Sequence, residues 1–579
     1  MIDYTDYGPH NSTTSLSECE RGLSIAIYRW GLPIRAPPGC GPRVILGRGL
    51  APFRRGETSL YYDSDVIVSR LDAAANDGFS DGLKGVEKES LRVTDNGAIA
   101  LSDHPVELGS ALTHPSITTD YSEALLEFVT AANASPRAVI EELEDIHRFV
   151  YSQIGDELLW VTSMPCILAT DENIPVARYG YSNVGRMKHV YRIGLGYRYG
   201  RAMQAIAGVH FNYSPPPSLW EGLAAAQGRA FSRDVIDACY MGMLRNLKRT
   251  IWLIAYLFGS SPAVCKSFVR AGGAGLRAFD RATWFYPHGT SLRLSDFGYS
   301  NRTGGGLAVS YDSLERYVAG LRHAIDTPHP PYQRIGVKRD DSYFQLNANI
   351  LQIENEYYSY VRPKRTPIGN EKRTTALAER GVEYVELRSL DLDPWCTTGV
   401  SETTMRFLEA YMLQALLESS PLICAAAQEE MDHNLHTVTC KGRDTGVTLK
   451  RGGGSVELVH WAGQLLDRIE AVSEMLDSGL AARPYTEALR AQRVKVEDPS
   501  ATPSARVLRE MRDRGESFFH FALRKSEELR TAGLAASLDS RRRVHLKALA
   551  QRSLHDQRRL EEDDEIDFDE YLRRYFAQH

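Results

Sequence analysis

The sequence lacks the cysteine spacing of a disulfide-built or zinc-binding protein. Its 8 cysteines are scattered singly through 579 residues, and no two of them form a C-x-x-C pair. Neither a disulfide framework nor a cysteine-ligated zinc site is therefore expected. Reduced thiols are typical of cytoplasmic proteins, and we expect this chain to be cytoplasmic.

Long hydrophobic runs and an excess of one charge are also missing. The longest apolar run, from Ile251 to Val264, is interrupted by Ser260 and Pro262 and is shorter than the roughly 20 residues that span a bilayer. The 68 basic side chains nearly balance the 74 acidic ones, so no overall field favours nucleic acid or anionic lipid. We expect a globular protein with no membrane partner and no nucleic-acid partner.

The familiar nucleotide and protease motifs are absent as well. No G-x-x-x-x-G-K-[ST], G-x-G-x-x-G or H-E-x-x-H motif occurs. The sequence therefore gives no motif evidence for a P-loop, a dinucleotide-binding site or a zinc-protease site. The glycine clusters at 304–306 and 452–454 are more typical of surface turns than of phosphate-binding loops. The candidate chemistry therefore depends on carboxylates in strand-like segments.

Composition and periodicity divide the chain into three parts. Residues 1–65 are rich in proline, glycine and arginine; we predict an extension that is poorly ordered or reflects a start codon placed too early, with a docking arm as the alternative. Residues 66–400 mix strand and helix patterns, which predicts an α+β region, and residues 401–579 are mainly helical with a charged tail. The predicted strands cover 85–93, 206–214, 346–354 and 383–392, and the predicted helices cover 136–154, 233–258, 311–325, 402–418, 455–480, 506–532 and 540–577.

Two acids border a buried face in the first strand-like segment. Alternation places Glu87 and Glu89 on the same strand face as Leu91 and Val93. Ionised carboxylates are costly to bury unpaired, so these two require a cation, either from the protein or as a bound metal. A solvent-facing edge strand is the structural alternative.

A second group of acids follows at Asp120, Glu123 and Glu127. If a helix begins after Asp120, that residue caps it, and Glu123 and Glu127 lie one turn apart on one helix face. A purely structural cap is the alternative here.

Two later strands carry polar side chains on one face. In segment 207–214, apolar residues alternate with His210, Asn212 and Ser214, which predicts a strand that borders a wet cleft; a structural histidine is the alternative. In segment 383–390, Glu386 and Arg388 share a face, and a simple ion pair between them is the alternative.

Together these segments supply hard oxygen ligands from separate strands, the ligands that Mg²⁺ takes when it is shared with nucleotide phosphates. Arginines and tyrosines in strand or loop contexts add anion-binding and hydrogen-bonding groups. These residues are Arg192, Arg293, Arg388, Tyr191, Tyr299 and Tyr358. The residues alone indicate an enzyme that acts on metal-bound phosphates.

Several segments, in their order and spacing, resemble one known family. They read GVEKESLRV, GSALTHPSITTDYSEALLEF, SMPC, YSNVGRMKHVYRIGL, QAIAGVHFNYS, TSLRLSDFGYSN, LQIENEYY, RPKR and EYVELRSLD. The sequence resembles the bacterial (type 1) glutamate-cysteine ligase family over about residues 66–535, most densely up to residue 395. The resemblance implies a glutamine-synthetase-like α+β fold, in which a curved antiparallel sheet forms a funnel flanked by helices. Residues 66–400 would then hold the metal, ATP and amino-acid sites.

The resemblance also implies site residues. The metal ligands would be Glu87, Glu89, Asp120, Glu127, His210 and Glu386. Substrate would be bound by Tyr121, Tyr191, Leu195, Gln204, Ile206, Arg293, Tyr299 and Tyr358. Arg192 and Arg388 would stabilise phosphate charge during catalysis. The sequence departs from the family at Tyr121, where the family has phenylalanine, which places a hydroxyl beside the thiol pocket.

The implied activity is that of an ATP-dependent ligase. It would join the γ-carboxylate of L-glutamate to the amine of L-cysteine through a γ-glutamyl phosphate, giving γ-glutamylcysteine, ADP and phosphate in the first step of glutathione biosynthesis. The resemblance implies ATP and Mg²⁺, with Mn²⁺ as a substitute, and a monomer. The alternatives are a ligase of the same fold for another amine, or a non-catalytic homologue that binds an amino acid or a metal.

Overall fold

The computed structural model describes residues 79–168, 170–269, 273, 275–298, 307 and 309–578. The extension predicted for residues 1–65 and the candidate substrate residue Tyr299 lie outside these residues. None of the described helices is both long and apolar enough to cross a membrane.

The described part of the chain is an α+β structure with a mainly helical C-terminal part, as the sequence predicts. The strands are β1 (Leu83–Val93), β2 (Ile117–Thr119), β3 (Leu125–Val129), β4 (Leu158–Leu159), β5 (Val209–Ser214), β6 (Ala263–Cys265), β7 (Arg277–Ala278), β8 (Thr283–Phe285), β9 (Lys338–Arg339), β10 (Ser342–Tyr343), β11 (Val361–Lys364), β12 (Tyr384–Leu390), β13 (Thr448–Arg451) and β14 (Gly454–Glu457). The helices are α1 (Pro136–Tyr151), α2 (Asn183–Tyr199), α3 (Ser218–Ala226), α4 (Arg233–Phe258), α5 (Leu314–Asp326), α6 (Pro330–Ile335), α7 (Arg373–Arg380), α8 (Glu402–Leu417), α9 (Ala425–Lys441), α10 (Leu458–Leu476), α11 (Pro484–Glu497), α12 (Pro503–Arg514), α13 (Phe518–Ala535), α14 (Ser540–Glu562) and α15 (Phe568–Phe576).

A seven-stranded antiparallel sheet forms the centre, with strand order β11-β12-β5-β1-β3-β2 and β4 paired to β1. Strand β1 is buried from its second residue onward, so the edge-strand alternative is wrong. Its ladders place Glu87 opposite His210 of β5 and Glu89 opposite Glu127 of β3. The sheet thus gathers acids from β1 and β3 and a histidine from β5 in neighbouring positions.

The helix considered after Asp120 is not formed, because residues 117–119 and 125–129 form two paired strands joined by a turn. Strand β3 lies between β1 and β2, and its Leu125 and Phe128 are fully buried. Pairing on both sides and burial outweigh the local helix signals in this segment. The Glu123 carboxylate accepts hydrogen bonds from the backbone amides of His104 and Arg178, which is a structural role.

Two further predictions near the site need correction. Segment 346–354 is irregular rather than a strand, and a short 3₁₀ helix begins only at Glu354. Tyr191 and Arg192 lie in helix α2, not in a strand or loop. Helix α2 lacks a continuous apolar stripe because its buried positions include Asn183 and the glycines Gly185 and Gly194, so periodicity did not reveal it.

The predicted C-terminal helices are present, but two of the predicted segments are each divided into two helices. The segment 540–577 forms α14 and α15, with the non-helical residues 563–567 between them. The segment 506–532 is divided between α12 and α13 at Gly515, whose φ of 64° ends the first helix in the left-handed region. The glycine cluster at 452–454 lies at the turn of the hairpin β13–β14, with Gly452 and Gly453 at positive φ. The division of the chain at residue 400 stays a prediction.

Cys166 and Cys265 form a disulfide, so the expectation of reduced thiols is wrong for this pair. Their Cα atoms lie 5.2 Å apart although 99 residues separate them in sequence. A pairing over such a distance leaves no spacing signal, because only the fold brings the two side chains together. Among the described cysteines, Cys239, Cys396, Cys424 and Cys440 are free thiols.

Candidate functional site

A cavity of about 310 Å³ lies beside the polar face of the central sheet and helix α2. Its lining includes every position predicted as a metal ligand, which are Glu87, Glu89, Asp120, Glu127, His210 and Glu386. Both predicted phosphate-binding arginines, Arg192 and Arg388, border it too. The cavity therefore brings together candidates from β1, β3, β5, β12 and α2.

A compact group of potential metal ligands lines this cavity. One ligand atom each from Glu87, Glu127 and His210 lies within 4.8 Å of the others. His210 Nδ1 is 3.0 Å from Glu87 Oε2, and Asn212 Nδ2 donates a 2.9 Å hydrogen bond to Glu87 Oε1. Burial, and next the Arg388 charge, lower the pKa of His210, which favours the neutral ring that binds metals.

Glu386 extends the acidic group along β12. Its Oε1 accepts hydrogen bonds from Arg388 Nη1 at 3.0 Å and from Lys364 Nζ at 3.3 Å. Its Oε2 is buried and has no hydrogen-bond partner among the described residues. The ion pair considered from the sequence is present, but it satisfies only one carboxylate oxygen, and the other remains available to a cation.

Burial opposes ionisation of the acids in this cluster. Burial, and next the charge of Asp120, raise the pKa of Glu89 to about 8. The same two causes raise the pKa of Glu127 well above its ordinary value. Burial opposes ionisation of Glu386, but Arg388 and Lys364 hold its pKa well below the ordinary value. A divalent cation would favour the ionised form of these carboxylates, and oxygen ligands with one imidazole suit Mg²⁺ or Mn²⁺.

Arg192 is positioned from helix α2 against the strand end that carries Asp120. Its Nε donates to the Asp120 carbonyl, and its Nη1 donates to the Lys188 carbonyl at 3.0 Å. Its guanidinium carbon lies 4.6 Å from the centre of the Tyr179 ring, whose hydroxyl also donates to the Asp120 carbonyl at 2.9 Å. The guanidinium is therefore held in place at the cavity wall.

Arg293 is packed against the backbone of β5 and β12. Its Nη2 donates to the Arg388 carbonyl at 2.9 Å, while Nη1 is buried without a hydrogen-bond partner in the described part of the chain. A Cβ added to Gly208 would lie 2.1 Å from Arg293 Nη2, so glycine permits this approach. The Gly208 amide also donates to Glu89 Oε2 at 2.6 Å.

The predicted substrate residues divide into three groups. Tyr121, Tyr191, Leu195, Gln204, Arg293 and Tyr358 border the cavity. The Tyr121 hydroxyl is buried without a hydrogen-bond partner among the described residues, and it lies 2.6 Å from where a Cβ on Gly196 would be. Ile206 is buried in the core and is not among the lining residues, and Tyr299 lies outside the described residues.

The cavity has lining residues that the sequence did not single out. Lys364 and Arg362 come from the RPKR segment, whose charges are a local signal. Asn370 and Arg373 come from the segment before and at the start of α7. Tyr571 and Tyr575 come from α15, and no local signal connects that helix to a cavity whose other lining residues lie between Glu87 and Arg388.

The sequence was compared with protein families and with individual relatives, and both comparisons identify the same family. The sequence profile of the family described as glutamate-cysteine ligase matches residues 68–438. A glutamate-cysteine ligase of Pseudomonas putida (strain W619) is 48% identical over 496 residues, which is 86% of this chain and 94% of the relative. One of Alcanivorax borkumensis is 47% identical over 500 residues, covering 85% of this chain and 95% of the relative.

Solved structures give the same result for the fold. The glutamate-cysteine ligase of Francisella tularensis, in complex with AMP, is similar with a TM-score of 0.81 and 37% identity over 86% of this chain and 97% of that one. A bifunctional glutathione synthetase of Pasteurella multocida is similar in fold, with a TM-score of 0.64 and 24% identity over 82% of this chain and 55% of that one.

Proposed function

The chain belongs to the glutamate-cysteine ligase family, and we propose that the acidic cavity is where it carries out that reaction. It is an ATP-dependent ligase that joins L-glutamate to L-cysteine, giving γ-glutamylcysteine. The alternatives of another amine or a non-catalytic homologue are not favoured by these comparisons. The AMP bound to the Francisella tularensis relative supports the use of ATP.

The observation that carries the proposal is the arrangement of Glu87, Glu127 and His210 around one point, with the unpaired oxygen of Glu386 at the same cavity. These four residues, with Glu89 and Asp120, would hold Mg²⁺ or Mn²⁺. A divalent cation bound there would neutralise phosphate oxygens and so favour transfer of the terminal phosphoryl group.

The basic residues around the acidic cluster would bind the phosphates of ATP. Arg388 and Lys364 flank Glu386, and Arg192 is anchored by the Asp120 carbonyl and the Tyr179 ring. Their charges would orient the ATP phosphates toward the glutamate γ-carboxylate and stabilise the equatorial oxygens during transfer. Attack by that carboxylate on the γ-phosphorus would break its bond to ADP, release ADP and give a γ-glutamyl phosphate. The amine of cysteine would then attack the acyl carbon, lose a proton and displace phosphate to form the amide.

The amino-acid substrates would occupy the wall that contains Arg293. Its buried Nη1, which lacks a hydrogen-bond partner among the described residues, can donate to a substrate carboxylate. Tyr191 is buried and Tyr358 is half-buried, and this loss of solvent raises the pKa of each phenol and keeps it a neutral hydrogen-bond donor. Tyr121 places its hydroxyl where the family has phenylalanine, so it would narrow or polarise the cysteine side of the pocket.

The reaction is tested by ADP release with Mg-ATP and L-glutamate, in the presence and absence of L-cysteine, with mass detection of the dipeptide. We expect cysteine-dependent ADP release and γ-glutamylcysteine. Glu87→Gln should reduce turnover at least tenfold, whereas Glu141→Gln on the exposed face of α1 should leave it unchanged. Full turnover in the Glu87 variant, or no cysteine-dependent release by the wild type, would contradict the proposal.

We also propose a cytoplasmic monomer whose ligands are small molecules. ATP and free cysteine thiol, the substrates of this reaction, are cytoplasmic metabolites. Light scattering of the purified chain tests the monomer, and cell fractionation tests the location. A mass near 64.7 kDa is expected, and a mass of twice that value would contradict the monomer.

A further inference from the structure

Helix α2 supplies Tyr191 and Arg192 to the cavity, but its own sequence does little to fix its position. Two of its buried positions are Gly185 and Gly194, which have no side chain to pack into the core. Its buried residues also include the polar Asn183, so no continuous apolar stripe attaches the helix to the core. The position of α2 therefore depends on contacts made by other segments.

The first amide of α2 is capped by a residue near the end of the chain. The backbone amide of Asn183 donates to Asp564 Oδ2 at 2.5 Å. The side chain of Asn183, which is 4% exposed, donates from Nδ2 to the Ile566 carbonyl at 2.8 Å. The first amides of a helix have no partner within the helix, and a negative charge beside them is favourable. Asp564 therefore stabilises this end of α2 across a sequence separation of 381 residues.

The residues just before α2 are held by the end of α14. Glu561 Oε1 accepts from the Tyr181 amide at 2.9 Å and from Gln557 Nε2, also at 2.9 Å. Gly180 permits this close approach, because its φ is 77° and an added Cβ would lie 2.3 Å from both Glu561 Oε1 and Gln557 Nε2. The turn into α2 and its first residue are thus both bound to the segment 557–566.

Helix α15 then packs against the next turns of α2. The Arg186 guanidinium carbon lies 4.4 Å from the centre of the Phe568 ring. The buried cluster between the two helices includes Met187, Val190 and Tyr191 from α2 and Phe568, Tyr571 and Leu572 from α15. Lys188, Arg192 and Leu195 of α2 border the cavity. The end of the chain therefore holds a helix whose other side chains form the cavity wall.

The placement of the Arg192 guanidinium depends on where α2 lies. Its Nη1 donates to the Lys188 carbonyl within α2 at 3.0 Å, and its Nε donates to the Asp120 carbonyl just after β2. A displacement of α2 relative to β2 would break one of these bonds, because the two acceptors belong to different elements. An error of about 1 Å at a catalytic group, caused by a change far from the reacting atoms, can lower a rate 10²-fold.

We propose that Asp564 is a positioning residue for the ligase reaction: by capping α2, it holds Arg192 where the phosphoryl group is transferred. Asp564 is not among the residues that line the cavity, so its effect passes through the helix. This inference rests on the proposed function, because it takes Arg192 as a group that stabilises the transferred phosphoryl group. Glu561 supports the same helix at the turn that precedes it.

Steady-state kinetics of full-length variants tests the proposal. Asp564→Ala should lower kcat about tenfold and leave KM for L-cysteine unchanged, because Arg192 acts on the transferred phosphoryl group rather than on the amine. Asp564→Asn keeps an oxygen acceptor for the Asn183 amide and should restore most of the rate. Glu565→Ala is the matched control, since it removes the exposed carboxylate of the next residue. An unchanged kcat in Asp564→Ala would overturn the inference.

Hydrogen exchange measured by mass spectrometry tests the local effect on the helix. In Asp564→Ala, the amides at the start of α2 should exchange about fivefold faster than in the wild type, which is the scale of one lost cap. The amides of helix α8 should exchange at the wild-type rate. Unchanged exchange in α2, or the same acceleration in α8 as in α2, would overturn the inference.

A double-variant cycle separates the positioning of Arg192 from a general loss of structure. Arg192→Lys should lower kcat by itself, and adding Asp564→Ala to it should lower kcat less than twofold further. If Asp564→Ala lowers kcat by the same factor in both backgrounds, its effect does not pass through Arg192 and the inference is overturned. An Arg192→Lys enzyme with the wild-type kcat would instead contradict the role of Arg192 in the proposed function, and this inference with it.

Discussion

Lys364 Nζ and Glu386 Oε1 lie 3.3 Å apart on the adjacent strands β11 and β12, and the Lys364 side chain is 13% exposed while that of Glu386 is fully buried. Through this ion pair, a carboxylate of the acidic cluster contacts one of the basic side chains that line the cavity. A buried carboxylate with one oxygen paired and the other free can bind a cation without losing its protein partner.

Removing the ammonium of this pair should weaken the use of ATP. In Lys364→Met we expect kcat/KM for ATP to fall about 10²-fold, the scale for losing one preorganised group that stabilises transition-state charge. Steady-state kinetics at varied ATP measures this. Lys450→Met, at an exposed position in β13, is the control and should behave as the wild type. A Lys364→Met enzyme with wild-type kinetics would show that this lysine has only a structural role.

A side chain at position 208 should displace Arg293. The Cβ of Gly208→Ala would lie 2.1 Å from Arg293 Nη2, so the guanidinium must move away from the Arg388 carbonyl. We expect KM for the amino-acid substrate that Arg293 binds to rise about tenfold, with KM for ATP little changed. Gly463→Ala is the control, because nothing lies within 4 Å of its added Cβ. If Gly208→Ala and Gly463→Ala have the same kinetic constants, Arg293 does not bind the amino-acid substrate.

Acid should destabilise the protein through His114, which supports the strand before Asp120. Its Nδ1 accepts from the amides of Ser116 at 3.0 Å and Ile117 at 2.9 Å, and burial lowers its pKa from 6.5 to about 4. The unfolded chain therefore binds a proton that the folded chain excludes between these two pH values, and stability should fall as pH decreases from 6.5 to 4.

Thermal unfolding measured at several pH values tests this, with the exposed His555→Gln as the control for His114→Gln. The His114 variant should be less stable at neutral pH, because two backbone donors lose their acceptor, but it should show a shallower loss in acid. The same acid dependence in wild type and His114→Gln would exclude this residue as a cause.

The disulfide between Cys166 and Cys265 should stabilise the fold. It closes a long loop, with 99 residues of sequence separation, for which a contribution of about 2–4 kcal/mol is typical. The double variant Cys166→Ala/Cys265→Ala should therefore unfold at a lower temperature, and reductant should lower the unfolding temperature of the wild type but not of this variant. A peptide map of unreduced protein that contains no linked Cys166 and Cys265 peptides would contradict the pairing.

The strands that carry the acids could be predicted because their alternation is local. Glu87, His210 and Glu386 lie on β1, β5 and β12, where polar and apolar side chains alternate clearly. Their placement at one cavity was only implied by the family resemblance, since no local pattern specifies which strands are neighbours.

Local sequence patterns do not predict the other parts of the site. The signals around Asp120 match a helix start that would place Glu127 in a helix, and only pairing with β1 and β2 explains its strand conformation. Tyr571 and Tyr575 border the cavity through packing between segments about 200 residues apart in sequence. Such long-range contacts leave no periodic pattern that a single sequence could reveal.

The most direct test of the account is an equilibrium titration of the wild-type chain and Glu87→Gln with Mn²⁺, followed by electron paramagnetic resonance, with and without ADP. The account predicts that the wild type binds Mn²⁺ more tightly when ADP is present and that Glu87→Gln loses at least tenfold in affinity. Equal Mn²⁺ affinity in the two proteins would contradict the claim that this cluster holds the cation.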